Sequence, residues 1–199
     1  MRTIRIIEHI SLDGVIQAPG GPEEDRANGF DHGGWAFPHQ SDEGGAAIAN
    51  AHGTSFDLLL GRKTYDIFGG YWPNQQGPMA DSLNRARKFV ATHRPDSLGW
   101  GPVDSLGADI ASGIRRVKEA GGPDLIVWGS STLTPLLIAQ GLADEVLLLV
   151  FPVMIGRGKR IFSDLANPSG LTLIDSKATS TGVILSTYKP AGALRTGSY

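Results

Sequence analysis

DLIVWGSSTLTPLLIAQGLADEVLLLVFPVMIGRGKRIF, residues Asp124 to Phe162, carries the pattern that decides the fold. Leu125-Ile126-Val127-Trp128 is an apolar run of strand length. Gly129-Ser130-Ser131 breaks it, and Thr132–Gln140 then places Leu133, Leu136 and Leu137 on one helical face. Ser130 or Ser131 can cap that helix, Pro135 is tolerated in its first turn, and Gly141 stops it. Glu145–Phe151 is a second, unbroken apolar run, as expected of a strand buried on both faces. The pieces make a βαβ unit whose first strand ends in a small-residue turn. Such a turn is either a plain strand-to-helix connection or a phosphate site, because backbone N–H groups at a helix start can face an anion.

Working outward, Thr3–Ile10 reads as the first strand and runs into Ser11-Leu12-Asp13-Gly14, where Asp-Gly turns the chain. The glycine- and proline-rich stretch Gln17–Gln40 is a loop, either a lid over a site or a surface excursion. Ser41–Ala51 fits a short helix capped by Ser41, with Asp42 and Glu43 in its first turn. Asp57–Leu60 is a second strand, followed by Gly61-Arg62-Lys63-Thr64 opening a helix. Cations in a first turn oppose the helix dipole, so Arg62 and Lys63 fit best if an anion binds there; otherwise they reach into solvent. Met79–Ala86 reads as a helix, Lys88–Thr92 as a strand ending in His93-Arg94-Pro95, and Asp104–Ala120 as an amphipathic helix. Leu171–Lys177 and Val183–Lys189 form an antiparallel hairpin, and the chain beyond Pro190 is expected to fray. Three strand ends thus carry phosphate-friendly turns, and in an open α/β sheet such ends line one groove.

Composition sets the bounds. A chain of 199 residues with 41% hydrophobic and 19% charged residues fits a single domain able to bury roughly two-thirds of its unfolded surface. The net charge of −2 and the lack of a basic stretch argue against nucleic acid or a membrane surface as partner. Without cysteine there are no disulfides, thiol nucleophiles or Cys-based zinc sites, and no metal is expected. The N-terminus lacks the apolar core of a signal peptide and no apolar run reaches spanning length, so the expected location is cytoplasmic.

LLLGRKTYDIF (Leu58–Phe68), GSSTL (Gly129–Leu133), ADEVLLLVFPVMIGRGKRIF (Ala143–Phe162) and SLDG (Ser11–Gly14) together resemble the dihydrofolate reductase fold. Within it they are most similar to the reductase domain of bacterial bifunctional riboflavin-biosynthesis deaminase–reductases, over Arg2 to Lys189. The resemblance implies one α/β domain over residues 1–190, with a tail at 191–199. It would be a three-layer α/β/α arrangement with a mixed, mostly parallel central sheet and a C-terminal antiparallel hairpin. It implies NADPH as cofactor. Gly61, Arg62, Lys63 and Thr64 match the turn that holds the NADPH phosphates. Thr92 and His93 match the strand end flanking the adenosine 2′-phosphate, with Arg94 as a helper. Gly129, Ser130, Ser131, Thr132 and Leu133 match the pyrophosphate turn, and Asp13 the acid near nicotinamide and substrate. Two positions depart: Trp128 stands where that branch carries an acid, and Val15 where it often carries Lys. Both bear on the ribityl-phosphate pyrimidine substrate and leave cofactor binding intact. The family also tends to form homodimers, for which Ile155–Phe162 is a candidate interface.

The leading expectation is an NADPH-dependent reductase of a small pyrimidine- or pterin-like heterocycle, such as 5-amino-6-(5-phosphoribosylamino)uracil. Asp13 would fix or protonate substrate, or is only an Asp-Gly turn residue. Trp35, Phe37, Tyr65, Tyr71 and Trp72 can supply stacking walls for a flat ring, or pack in core and loops. Glu43, or Asp42, lies near the place where dihydrofolate reductase carries its substrate acid, and equally suits helix capping. The alternatives are a nucleotide-binding protein without turnover and a folate reductase.

Overall fold

Eight strands form one sheet in the order β4-β3-β2-β5-β1-β6-β8-β7. They are β1 (Ile4–Ser11), β2 (Phe56–Gly61), β3 (Lys88–Ala91), β4 (Val103–Ser105), β5 (Asp124–Trp128), β6 (Glu145–Phe151), β7 (Ser169–Ala178) and β8 (Ile184–Ala193). The computed structural model describes residues 1–162 and 168–198. From β4 to β6 every pairing is parallel, whereas β8 runs antiparallel to β6 and β7 antiparallel to β8. The parallel strands are near-continuous apolar runs because both faces are covered: Leu58, Leu59, Leu60, Leu125, Ile126 and Val127 are all fully buried.

Helices α1 (Asp42–His52), α2 (Arg62–Tyr71) and α3 (Pro78–Arg85) lie on one side of the sheet, and α4 (Ile110–Glu119) and α5 (Leu133–Ala139) on the other. Alternation along each strand divides the core between them. Ile7, Leu58, Leu60, Ile126 and Leu147 pack with Tyr65 and Leu83, while Ile4, Ile6, Leu59, Val127 and Val146 pack with Ile114, Leu133 and Leu137. The result is the expected three-layer α/β/α arrangement.

Two expectations are corrected. The stretch expected to be one helix from Asp104 begins as an edge strand, β4, and α4 starts only at Ile110, where Asp109 accepts the Ser112 N–H as its cap at 3.1 Å. The chain beyond Pro190 does not fray at once, since β8 continues to Ala193. Pairing of β8 with β6 ends at Tyr188, and only β7 accompanies the rest, so a proline without an N–H is tolerated on the open side. Among the described residues, no helix is long and apolar enough to cross a membrane.

Candidate functional site

Because β1, β2, β3 and β5 are parallel and adjacent, their carboxyl ends open on one side of the sheet. A cleft of about 1220 Å³ lies there, larger than most small-ligand pockets. Residues 61–64, 92–94 and 129–133 all line it, so every expected cofactor-binding position faces the same space.

The first and third of these turns are in contact. A Cβ on Gly61 would meet Ser130 Oγ and lie only 3.0 Å from Ser130 Cβ. Gly61 has an ordinary φ of −70°, so it is glycine for space rather than for conformation. Gly129 differs: its φ is +54°, and Ser130 follows at +74°. Two successive left-handed residues, one bearing a side chain, are unusual and concentrate at ligand sites. Ser130 is steadied by accepting the Leu133 N–H on Oγ at 3.0 Å, but the cap position itself falls to Thr132 rather than to Ser130 or Ser131, because the helix begins only at Leu133.

The cations of this wall are already organised. Arg62 donates from Nε to Asp66 at 2.8 Å, and from Nη1 to Thr92 Oγ1 at 3.3 Å, the Arg94 carbonyl at 3.0 Å and Ser97 Oγ at 2.8 Å. It therefore ties α2 to the chain after β3. Lys63 Nζ lies 3.7 Å from Asp25, which also accepts from Lys159 Nζ at 2.6 Å.

The opposite wall comes from residues 16–25, the start of the loop whose role the sequence left open. Gln17 fixes it, donating to the Asp25 and Ala27 carbonyls at 3.0 and 3.1 Å and accepting the Lys159 N–H at 3.1 Å. Glu24 folds back to accept the Gly20 and Gly21 N–H groups at 2.6 and 3.1 Å.

One end of the cleft is aromatic, with Phe68, Tyr71, Trp72 and Trp128 beside Ile48, Met79 and Leu83. The Trp128 indole donates to His52 Nε2 at 3.0 Å, and its ring lies 5.7 Å from that of His9 on β1. Burial pushes the His9 imidazole down to about 4; burial, and then the Arg5 charge, pushes His52 down to about 4. His52 must be neutral to accept from Trp128. An unfolded chain protonates both near 6.5, so between roughly pH 6.5 and 4 the unfolded state binds more protons and stability falls as pH drops. Glu8, whose pKa burial raises, acts in the opposite sense over this range, so the test is a comparison. Between pH 7.5 and 5 the urea midpoint of wild type is expected to shift further toward lower stability than that of His52→Gln, and equal shifts in the two proteins would contradict this.

The expected catalytic and substrate-binding positions do not meet here. Asp13 lies outside the cleft; its carboxylate accepts from Ser11 Oγ at 2.6 Å and from the Ile155 and Gly156 N–H groups at 3.1 and 2.7 Å. These bonds, the Ser11 hydroxyl first, hold its carboxyl down to about 2. Asp13 thus braces the turn after β1 against the chain after β6. Asp13→Asn is expected to cost about 1–3 kcal/mol of stability while leaving ligand affinity in the cleft within about threefold. Denaturation together with ligand titration checks both. Trp35 is buried behind the loop, donating from Nε1 to the Gln17 carbonyl at 2.8 Å. Tyr65 is buried against Trp100, whose N–H its hydroxyl accepts at 2.6 Å. Glu43 accepts from the Ser180 hydroxyl at 3.1 Å, away from the cleft. Trp35 and Tyr65 are corrected from stacking walls to packing supports, and Glu43 from a substrate acid to a brace on the 178–182 turn; large aromatics with a polar tip serve packing as readily as recognition.

Residues missed by sequence reading are Glu8 and His9 on β1, buried and half-buried, both lining the cleft. Strand alternation gave a signal, since Glu8 interrupts the apolar face Ile4-Ile6-Ile10 where a charge is out of place.

A dinucleotide suits this donor set. Gly129 leaves open space beside Thr64, with nothing nearer than 3.7 Å to a Cβ there. Arg62, Lys63 and Arg94 supply positive groups and His93 an imidazole, and among the described residues a buried carboxyl oxygen, Glu8 Oε2, has no hydrogen-bond partner.

Comparison with known proteins agrees with the geometry. The model of the RibD C-terminal domain matches residues 2–185. The uncharacterized protein YyaP of Bacillus subtilis (strain 168) is 26% identical over 136 residues, covering 66% of this chain and 72% of YyaP. Two solved structures share the fold. The diaminohydroxyphosphoribosylaminopyrimidine deaminase/5-amino-6-(5-phosphoribosylamino)uracil reductase of Thermotoga maritima superposes with a TM-score of 0.61 at 14% identity, over 96% of this chain and 57% of that one. Dihydrofolate reductase from Enterococcus faecalis, complexed with NADP(H), gives 0.59 at 14% identity over 95% of this chain and 96% of that one. The chain belongs to the RibD C-terminal domain family, a reductase-like domain built on the α/β fold of dihydrofolate reductase.

Proposed function

We propose that this chain is an NADPH-dependent reductase of a small, flat heterocycle of pyrimidine or pterin type. The observation that carries the reading is the convergence of three glycine- or hydroxyl-bearing turns and an aromatic end in a single cleft. The solved neighbours include a 5-amino-6-(5-phosphoribosylamino)uracil reductase and a dihydrofolate reductase complexed with NADP(H), which supports a nicotinamide cofactor for this cleft as well.

Gly61, Lys63 and Thr64, with Gly129 and Ser130, would hold the diphosphate, and Arg62, Thr92, His93 and Arg94 the adenosine phosphate. When bound, NADPH supplies hydride; the protein's contribution is to orient the reacting rings and exclude water. Phe68, Trp72 and Trp128 offer apolar faces to a planar ring, and the Trp128–His52 bond fixes one of them in place. Residues 16–25 cover that space from the other wall, anchored through Gln17, Asp25 and Lys159.

Neither Asp42 nor Glu43, the two acids the folate reading draws on, lines the cleft, which favours a substrate other than a folate. Oxidation of NADPH followed with a panel of pyrimidine, pterin and nitro substrates tests the proposal. Turnover of at least one flat heterocycle is expected. Tight NADPH binding with no turnover of any of them would instead make this a nucleotide-binding protein.

A further inference from the structure

The Glu8 carboxyl sits in the cleft wall, buried beside the Gly129 turn. Glu8 is only 2% exposed, and its Oε2 has no hydrogen-bond partner among the described residues. Buried polar groups are nearly always paired, so an unpaired one marks a place where something else binds. Its position follows from strand register. Ile7 pairs with Trp128, the last residue of β5, so Glu8 lies beside the turn that begins at Gly129. A Cβ on Gly129 would lie 3.9 Å from Glu8 Oε1 and 3.7 Å from Thr64 Oγ1, so carboxyl, hydroxyl and left-handed turn surround one spot.

Among the described residues no cation pairs with Glu8. Lys63 and Lys159 are engaged with Asp25, and Arg62 with Asp66. Of the other titratable groups lining the cleft, Glu23 and Tyr71 are exposed, His93 and Arg94 stand on the chain after β3, and His9 packs against Trp128 and Phe151. The charge that acts on Glu8 is that of Glu24, on the facing loop. A carboxylate so placed would repel both Glu24 and any phosphate at Gly129.

We propose that Glu8 is held as a neutral carboxylic acid and donates its O–H to the dinucleotide seated against the Gly129 turn, so that cofactor binding and retention of one proton are a single linked event. Burial, and then Glu24, raises its pKa well above that of an ordinary glutamate, in keeping with this. The inference rests on the reading of the cleft as a dinucleotide site. Linkage then requires the affinity to fall as pH rises above the titration of free Glu8, approaching tenfold per unit.

The test is NADPH titration into the full chain from pH 5.5 to 9.5, with wild type, Glu8→Gln and Glu8→Ala. Wild-type affinity should fall with rising pH relative to Glu8→Gln, whose amide keeps a neutral donor. The difference between the two removes the ligand's own titration, which is common to both. Glu8→Ala should bind on the order of ten- to a hundredfold more weakly at low pH. Calorimetry on wild type in two buffers of different ionisation enthalpy should show proton uptake rising toward one at high pH, a readout that needs no variant to fold. Parallel pH profiles with Glu8→Ala within threefold of wild type overturn the inference. If the variants do not fold, absence of proton uptake across the range overturns it. Failure of wild type to bind NADPH at any pH would instead remove the cleft reading, and this inference with it.

Discussion

Gly129→Val is expected to lower NADPH affinity by more than a hundredfold while leaving the far-UV circular dichroism near that of wild type. The cause is conformational before it is steric. At a φ of +54° the residue sits in the left-handed region, which costs a side-chain-bearing residue about 1–2 kcal/mol and a β-branched one more. The protein itself leaves room for a first carbon, with nothing within 3.7 Å. Valine will therefore leave that region, turn the 129–130 backbone and add methyl groups where the diphosphate is placed. The accompanying loss of stability, about 1–2 kcal/mol, should lower Tm by roughly 2–8 °C. Gly129→Ala separates the two effects, since it carries the backbone cost with little bulk. Full binding by the valine variant would show that this turn does not hold the ligand.

Arg62→Ala is expected to weaken NADPH about ten- to a hundredfold and NADH much less. Its guanidinium carries positive charge at the end where the adenosine phosphate is placed, and a charge-assisted hydrogen bond contributes roughly 1.5–3 kcal/mol. The structure adds a second reason. Arg62 already holds Thr92, the Arg94 carbonyl and Ser97, so its loss also loosens the chain that presents His93 and Arg94. Arg62→Lys should recover the charge without the fork and regain only part of the affinity. Titrations at one fixed salt concentration decide the matter, because exposed charge is screened. Equal losses for NADH and NADPH would place Arg62 on the shared diphosphate.

The sheet was legible because a parallel strand covered on both faces must be apolar throughout, and Glu145–Phe151 matches the strand expected from that rule. The turns at residues 61–64 and 129–133 were legible for a related reason: small residues and misplaced cations follow strand ends, where the topology exposes the chain. Asp13, Trp35, Glu43 and Tyr65 were misplaced because residue type does not say which way a side chain points. Asp13 follows β1, as a ligand-facing acid would, yet the chain after β6 presents two N–H groups that claim its carboxylate. Only pairing 142 residues or more away in sequence decides that. β4 escaped notice because three residues give too short a period, and its pairing with β3 rather than its own composition makes it a strand. Glu8 could have been singled out by alternation alone, but its relation to Gly129 depends on the register between β1 and β5.

If three sequence-distant turns form one dinucleotide site, a single ligand must reach all of them at once. Amide hydrogen exchange on the full chain, with and without saturating NADPH, tests it most directly. Residues 61–64, 92–94 and 129–133 should gain protection together, along with the covering loop at 16–25, while the β7–β8 hairpin is unchanged. Protection confined to one of the turns, or to a surface away from the cleft, would contradict the account.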